Sequence, residues 1–321
     1  MSAGAAYVSD AGSRDTVEIH DVLADDPVVG AQRPLTCRWP VGGPPAGLVL
    51  FCHGLGSSGL EYAALSQHWA GHGYLVVHPT FRDSIDAVAR DEPLQRFEPQ
   101  ADLSRWTTMP EVRARLHEIL HSPDYWLSRL DLVRAVMAAL PQILEATCGR
   151  QVGPLPAAIA GHSFGAYTAQ LLAGAEIDMP DGRAHRFRDE RFRAAVLLSA
   201  QGRDQQGLRD GSWDAIGCPM LNVTGTLDRG AKGGDWRWKS EPFELAPPGE
   251  KYLAVLEEAD HFLGGFTDRG IQATVPSQQD AVKQMTLAFL DEHLRGSEAA
   301  RIWLASIDNS IGDCRLLFRS K

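Results

Sequence analysis

Ser163 stands at the centre of Gly161-His162-Ser163-Phe164-Gly165, after an apolar run at 157–160 and before a helix-like stretch at 166–173. A sharp strand-to-helix turn holds its serine in a strained backbone conformation. Side chains two positions to either side would collide there, hence glycine at 161 and 165. Such a serine is a candidate nucleophile for an ester carbonyl. The N–H of Phe164, at the helix start and the positive end of its dipole, would face the charge that develops on the carbonyl oxygen. A second N–H for that oxygen is expected from His53-Gly54-Leu55-Gly56, whose glycines let the backbone approach a ligand; Leu55 is the expected donor and His53 a structural hydrogen-bonding group. The proton leaving Ser163 needs a base, and the base needs a carboxylate to orient it. When the nucleophile sits on a strand-to-helix turn, the chain order is serine, acid, histidine. Asp228, just past the apolar run 220–224, is the expected acid, with Asp235 and Asp204 as competitors. His261, in Glu258-Ala259-Asp260-His261-Phe262, is the expected base; the other downstream histidine, His293, falls within a helix.

These groups must be held by a rigid frame, and the apolar runs supply one. Segment 48–52 is a continuous apolar run, the pattern of a strand buried on both faces; 74–78 repeats that pattern, and 157–160, 194–199, 220–224 and 252–256 are further short apolar runs. Segments 16–23 and 35–39 read as an antiparallel edge. Helices are expected at 59–71, at 123–146, where Trp126, Leu130, Val133, Met137 and Leu140 share a face, and at 278–294. The fold class predicted is α/β, a mostly parallel sheet with helices on both faces and an inserted segment after the fourth strand. That insertion, 81–122, reads as a polar stretch with one short helix at 110–120, and is a candidate lid. The tail 296–321 reads as a short helix at 298–306 followed by irregular chain. One domain over 1–321 is expected, since no linker divides the chain.

Composition narrows the partners. With 31 Lys and Arg against 41 Asp and Glu, the net charge is −10, which disfavours nucleic acid and anionic lipid surfaces. The arginines at 183, 186, 188, 191 and 193 are read as a solvated face. Five scattered cysteines without a Cys-x-x-Cys pair point to neither zinc nor a disulfide framework. Residues 1–12 lack a basic start followed by an apolar stretch, and no apolar run reaches membrane-spanning length. A cytoplasmic protein is the simplest expectation, although an exported chain begun at its mature N-terminus would read the same.

The motifs together resemble the α/β-hydrolase superfamily, and within it bacterial predicted dienelactone hydrolases and platelet-activating-factor acetylhydrolases. The resemblance rests on Phe51-Cys52-His53-Gly54-Leu55-Gly56, Ala70-Gly71-His72-Gly73-Tyr74, Phe81-Arg82-Asp83, Gly161-His162-Ser163-Phe164-Gly165 and Asp260-His261-Phe262. It implies a serine carboxylesterase that needs no cofactor and no metal, with Leu55 and Phe164 as oxyanion donors, and similarity to the group that includes polyester hydrolases. Dienelactone hydrolases use cysteine where this chain has Ser163, which argues against that named activity.

The expected reaction is hydrolysis of a small-molecule carboxylic ester through an acyl-enzyme. Amide or lactone hydrolysis uses the same machinery and stays open, as does an aromatic polyester substrate; a silent ligand-binding hydrolase fold would predict a broken triad. Epoxide and haloalkane chemistry need a carboxylate at position 163. Substrate contacts are expected from Trp106 and Trp126, with Phe97 and Met109, and from Trp236 and Trp238.

Overall fold

The computed structural model describes residues 6–28, 30–92, 103–149, 153–230, 233–266 and 273–321, those at 103–105 by backbone alone. In chain order its elements are β1 (Thr16–Asp26), β2 (Ala31–Pro40), β3 (Gly47–Cys52), α1 (Ala63–Gly71), β4 (Tyr74–Pro79), α2 (Ile85–Asp91), a 3-10 turn (Leu103–Thr108), α3 (Pro110–Leu120), α4 (Pro123–Ala138) and α5 (Leu140–Cys148). There follow β5 (Ala157–His162), α6 (Phe164–Ala173), β6 (Glu176–Asp178), β7 (Ala184–Arg186), β8 (Phe192–Leu198), β9 (Met220–Gly225), α7 (Trp236–Leu245), β10 (Lys251–Leu256), α8 (Pro276–Arg295), α9 (Glu298–Ala305), β11 (Ser310–Ile311) and β12 (Cys314–Ser320).

Among the described residues one large sheet runs in the order β1-β2-β4-β3-β5-β8-β9-β10-β12-β11. Its middle, β4 to β10, is parallel throughout, and β1, β2, β11 and β12 add antiparallel margins. Every position of β3, β4, β5 and β9 is buried. The pleat divides these residues between two cores. Leu48, Leu50, Cys52, Leu75, Val77 and Ile159 pack with Leu130 and Val133 of α4 and Leu171 of α6. Val49, Phe51, Val76, Ala158 and Ala160 pack with Leu65 and Trp69 of α1 and Met285 and Phe289 of α8. Each fully buried Leu, Val or Phe of this kind contributes roughly 1.5–3 kcal/mol. The predicted α/β class, with its mostly parallel sheet covered on both faces, is the one found.

Three segments differ from expectation. The helix expected over 123–146 is two, α4 and α5, because Pro141 has no N–H to donate to the Met137 carbonyl. The tail is not irregular: β12 pairs antiparallel with β10 through Tyr252↔Ser320 to Leu256↔Leu316, with Cys314 and Leu316 buried and Arg315 and Leu317 exposed. The insertion after β4 holds α2, capped by the Ser84 hydroxyl accepting from Ala87 N–H, as well as the 3-10 turn and the expected α3. Ile85, Val88, Val112, Leu116 and Ile119 give it a small core of its own.

The parallel middle brings the C-terminal ends of β3, β5, β8, β9 and β10 to one edge of the sheet. In open α/β sheets that edge is where ligands bind.

Candidate active site

Ser163 follows β5 with φ +54° and ψ −118°, a conformation that costs a non-glycine residue of order 1–3 kcal/mol. Its neighbours enforce the turn. A Cβ on Gly165 would lie 1.8 Å from the Cys52 carbonyl oxygen, and one on Gly161 would lie 2.3 Å from Gly165. The Ser163 N–H donates to Leu198 O at 2.9 Å, fastening the turn to β8.

The structure brings three of the expected residues into a row. His261 Nε2 lies 2.9 Å from Ser163 Oγ, and His261 Nδ1 lies 2.9 Å from Asp228 Oδ1. With Nδ1–H donating to the carboxylate, Nε2 is left as the acceptor for the serine proton. Asp228 is fully buried in the turn after β9, and its other oxygen accepts from Ser199 Oγ at 2.6 Å and Thr224 Oγ1 at 2.9 Å. The Ser199 hydroxyl also lies 2.7 Å from His261 Nδ1. Lys239, on α7 and 2% exposed, places Nζ 3.9 Å from Asp228 Oδ1 and donates to Ser199 O at 3.2 Å. Burial pushes the Asp228 carboxyl up, but the Lys239 ammonium, the His261 ring and the Ser199 hydroxyl outweigh it and hold it well below the usual carboxylate range. Lys239 is itself lowered by burial, with Asp228 opposing.

The competing residues have other tasks. Asp235 caps α7, accepting from Arg237 N–H; Asp204 lies in a turn with φ +64°; His293 is on α8 with Glu250 and Glu292 near its ring. Ser199 and Lys239 were not singled out in the sequence. Ser199 ends the apolar run 194–199, so a polar residue at a parallel strand's C-terminal end was its available signal; Lys239 had none.

The Leu55 and Phe164 N–H groups donate to no protein acceptor among the described residues. Phe164 is the first residue of α6. The Leu55 peptide is pinned from its other side, because the Gly54 carbonyl accepts from His53 Nδ1 at 2.7 Å and from Ser57 N–H at 3.1 Å. A trans peptide then points Leu55 N–H the opposite way. His53 Nε2 accepts from Phe81 N–H at 2.9 Å, so both ring nitrogens serve the loop. Beneath it, Arg129 makes a two-pronged pair with Asp83, at 2.9 and 2.6 Å, and donates to His53 O at 2.9 Å. This accounts for Phe81 and Asp83 of Phe81-Arg82-Asp83: Arg129 packs on the rings of both Phe81 and Phe164.

A cavity of about 380 Å³ opens on Ser163 and His261, with Leu55, Trp106, Thr107, Leu120, Gln201, Gln205, Arg229, Trp238 and Phe262 in its wall. The insertion thus supplies Trp106, Thr107 and Leu120. Trp106 sits on the oxyanion-side loop, where a Cβ on Gly56 would meet the indole at 2.9 Å. Two of the residues expected to contact substrate lie outside this cavity's wall. Trp126 is core, its Nε1 donating to Leu120 O at 2.8 Å and its ring edge-on to Tyr167. Trp236 packs beside Phe243, Leu253 and Val255, away from the cavity, because the helical turn from 236 to 238 sends the two tryptophans to different sides. Met109 packs with the insertion's core, and Phe97 lies outside the described residues. The arginine-rich stretch carries its own carboxylates, Arg186 on Glu176, Arg188 on Glu190 and Arg191 on Asp189. Among the described residues no helix is long and apolar enough to cross a membrane.

Residues 43–201 match the family model of platelet-activating factor acetylhydrolase, isoform II. The match contains Leu55, Ser163 and Phe164 and ends before Asp228 and His261, whose juxtaposition rests on the distances above. No curated protein matches the chain.

Proposed function

We propose that this chain, of the α/β-hydrolase superfamily, hydrolyses carboxylic esters through an acyl-enzyme on Ser163. The observation that carries the reading is the hydrogen-bonded row Ser163, His261, Asp228 at the mouth of the cavity. Ser163 Oγ attacks the carbonyl carbon while His261 Nε2 takes its proton. Asp228 keeps the ring oriented and offsets the charge of the imidazolium that forms. The tetrahedral oxyanion accepts from Leu55 N–H and Phe164 N–H, groups on rigid backbone that need no reorganisation as charge develops. Collapse breaks the bond to the leaving alcohol, which carries away the proton from Nε2. Water then repeats the sequence on the acyl-serine, giving the carboxylic acid and restoring Ser163.

Trp106, Trp238, Leu120 and Phe262 supply apolar wall for the groups flanking the ester, and Gln201 and Gln205 supply polar wall. The acetyl group in the matched family's name supports a short acyl chain. The test is turnover of p-nitrophenyl acetate, butyrate and octanoate by wild type and Ser163→Ala. The expected result is activity on the short esters that the substitution abolishes; activity retained by Ser163→Ala overturns the reading.

A further inference from the structure

His162 and Tyr62 are buried, 4% and 2% exposed, and have no part in the bond changes just described. They nevertheless connect the two loops on which the chemistry depends. His162 Nε2 lies 2.7 Å from the backbone carbonyl of His261, and His162 Nδ1 lies 3.0 Å from Tyr62 Oη. The Gly54 N–H, one peptide before the Leu55 donor, donates to the same Tyr62 oxygen at 3.3 Å.

The proton positions follow from the partners. The His261 carbonyl can only accept, so His162 Nε2 carries the hydrogen. Burial pushes the His162 ring down to about 3, so it carries no second proton near neutral pH, and Nδ1 is an acceptor. Tyr62 must then donate its hydroxyl hydrogen to Nδ1, which leaves its oxygen free to accept from Gly54. All donors in the chain point one way, from Gly54 through Tyr62 and His162 to His261. The fit on the Gly54 side is tight: a Cβ on Gly54 would lie 3.2 Å from Tyr62 Oη and 3.3 Å from His162 Nδ1. Tyr62 itself is held at φ +65°, at the N-terminal cap of α1, and its ring packs on Phe51 with centroids 4.7 Å apart.

The geometry points to Tyr62 and His162 as positioning residues that lock the oxyanion-donor loop at Gly54-Leu55 to the loop of the general base at His261. The inference rests on the proposed ester hydrolysis. A tetrahedral intermediate must be met from both sides at once, by N–H groups on its oxygen and by His261 on its proton, and a misplacement of about 1 Å on either side is costly. The residue preceding the nucleophile is well placed for this task, since it moves with Ser163.

The experiment compares wild type, Tyr62→Phe, His162→Phe and the double variant. For each, kcat and KM on p-nitrophenyl butyrate are measured, with binding of a boronic acid that mimics the tetrahedral intermediate and the rate of labelling by a fluorophosphonate. Tyr62→Phe removes one oxygen and strands two buried polar groups, which predicts a fall in kcat of about tenfold to a hundredfold. Boronate affinity and labelling rate should fall in parallel, while KM moves less than about threefold, the signature of an interaction that matters in the transition state. The second substitution should add little to the first, because either one breaks the chain. Unchanged kcat and boronate affinity in Tyr62→Phe, or losses that simply multiply in the double variant, overturn the inference. Should His162→Phe not fold, the Tyr62→Phe comparison decides alone. Absence of labelling in wild type defeats the ester hydrolase reading itself; labelling in wild type at the same rate as in Tyr62→Phe defeats only the lock.

Discussion

Replacing Lys239 by methionine tests how the buried carboxylate of Asp228 is kept ionised. At the 3.9 Å between Nζ and Oδ1, Coulomb's law with an effective dielectric of about 20 gives an attraction of about 4 kcal/mol. Desolvation of both groups offsets much of it, but the carboxylate left behind keeps its burial and loses its cation, a change that costs about 3–5 kcal/mol. For a chain of 321 residues that corresponds to a melting temperature lower by roughly 4–7 °C near neutral pH. The pH dependence fixes the sign. In wild type the Asp228 carboxyl lies below its unfolded value, so its stabilisation is complete above about pH 4 and is lost only as pH falls towards the folded value. Without Lys239, burial is opposed only by what remains, the His261 ring and the Ser199 hydroxyl among it, and the carboxyl takes up a proton at higher pH than in wild type. The gap between the two melting temperatures should therefore be full near neutral pH and narrow on acidification. Lys239→Met/Asp228→Asn, which removes both charges, should recover at least half the loss while remaining inactive, and Lys239→Met alone should lower kcat by about tenfold to a hundredfold. Thermal melts across pH read the first three outcomes and ester turnover the last. A gap under about 1 kcal/mol, a gap indifferent to pH, or a double variant no more stable than the single one would refute the reasoning.

Arg129→Met strands Asp83, which is fully buried, and frees His53 O; it should cost about 3–5 kcal/mol in denaturant unfolding and reduce turnover by loosening the loop that carries Leu55. Gly165→Ala forces a Cβ into the Cys52 carbonyl and should yield no soluble folded protein, as judged by expression and circular dichroism. Trp106→Ala removes a wall of the cavity and the cover over Gly56; the ratio of octanoate to acetate ester turnover should rise by about tenfold, and an unchanged ratio places the acyl chain elsewhere.

The parallel core was legible because residues such as Val49, Leu50 and Phe51 are buried on both faces and leave an uninterrupted apolar run. The strand-turn-helix at Ser163 was legible because steric exclusion leaves glycine as the residue that fits at 161 and 165. The break at Pro141 is hidden in the apolar pattern because the spacing of α4 continues through it, whereas the missing N–H ends the helix. β12 did carry a period-two signal in Cys314, Leu316 and Phe318, but across so short a stretch it competes with irregular chain. The substrate side was least legible. Which tryptophans face the cavity depends on tertiary packing: the 3-10 turn of the insertion brings Trp106 to it and α7 brings Trp238, while the inward faces of α4 and α7 carry Trp126 and Trp236 elsewhere. Lys239 reaches Asp228 only through the docking of α7 on β9, where Asn222 Nδ2 donates to Lys239 O at 3.0 Å. That is a tertiary fact with no local signature.

The central claim is that Ser163 is an activated nucleophile, and intact-mass and peptide mass spectrometry after treatment with a fluorophosphonate tests it most directly. The account predicts one phosphonyl adduct per chain, mapped to Ser163, with loss of ester turnover in step with labelling and no adduct on Ser163→Ala. An unlabelled wild-type chain, or an adduct on another residue with turnover intact, would contradict it.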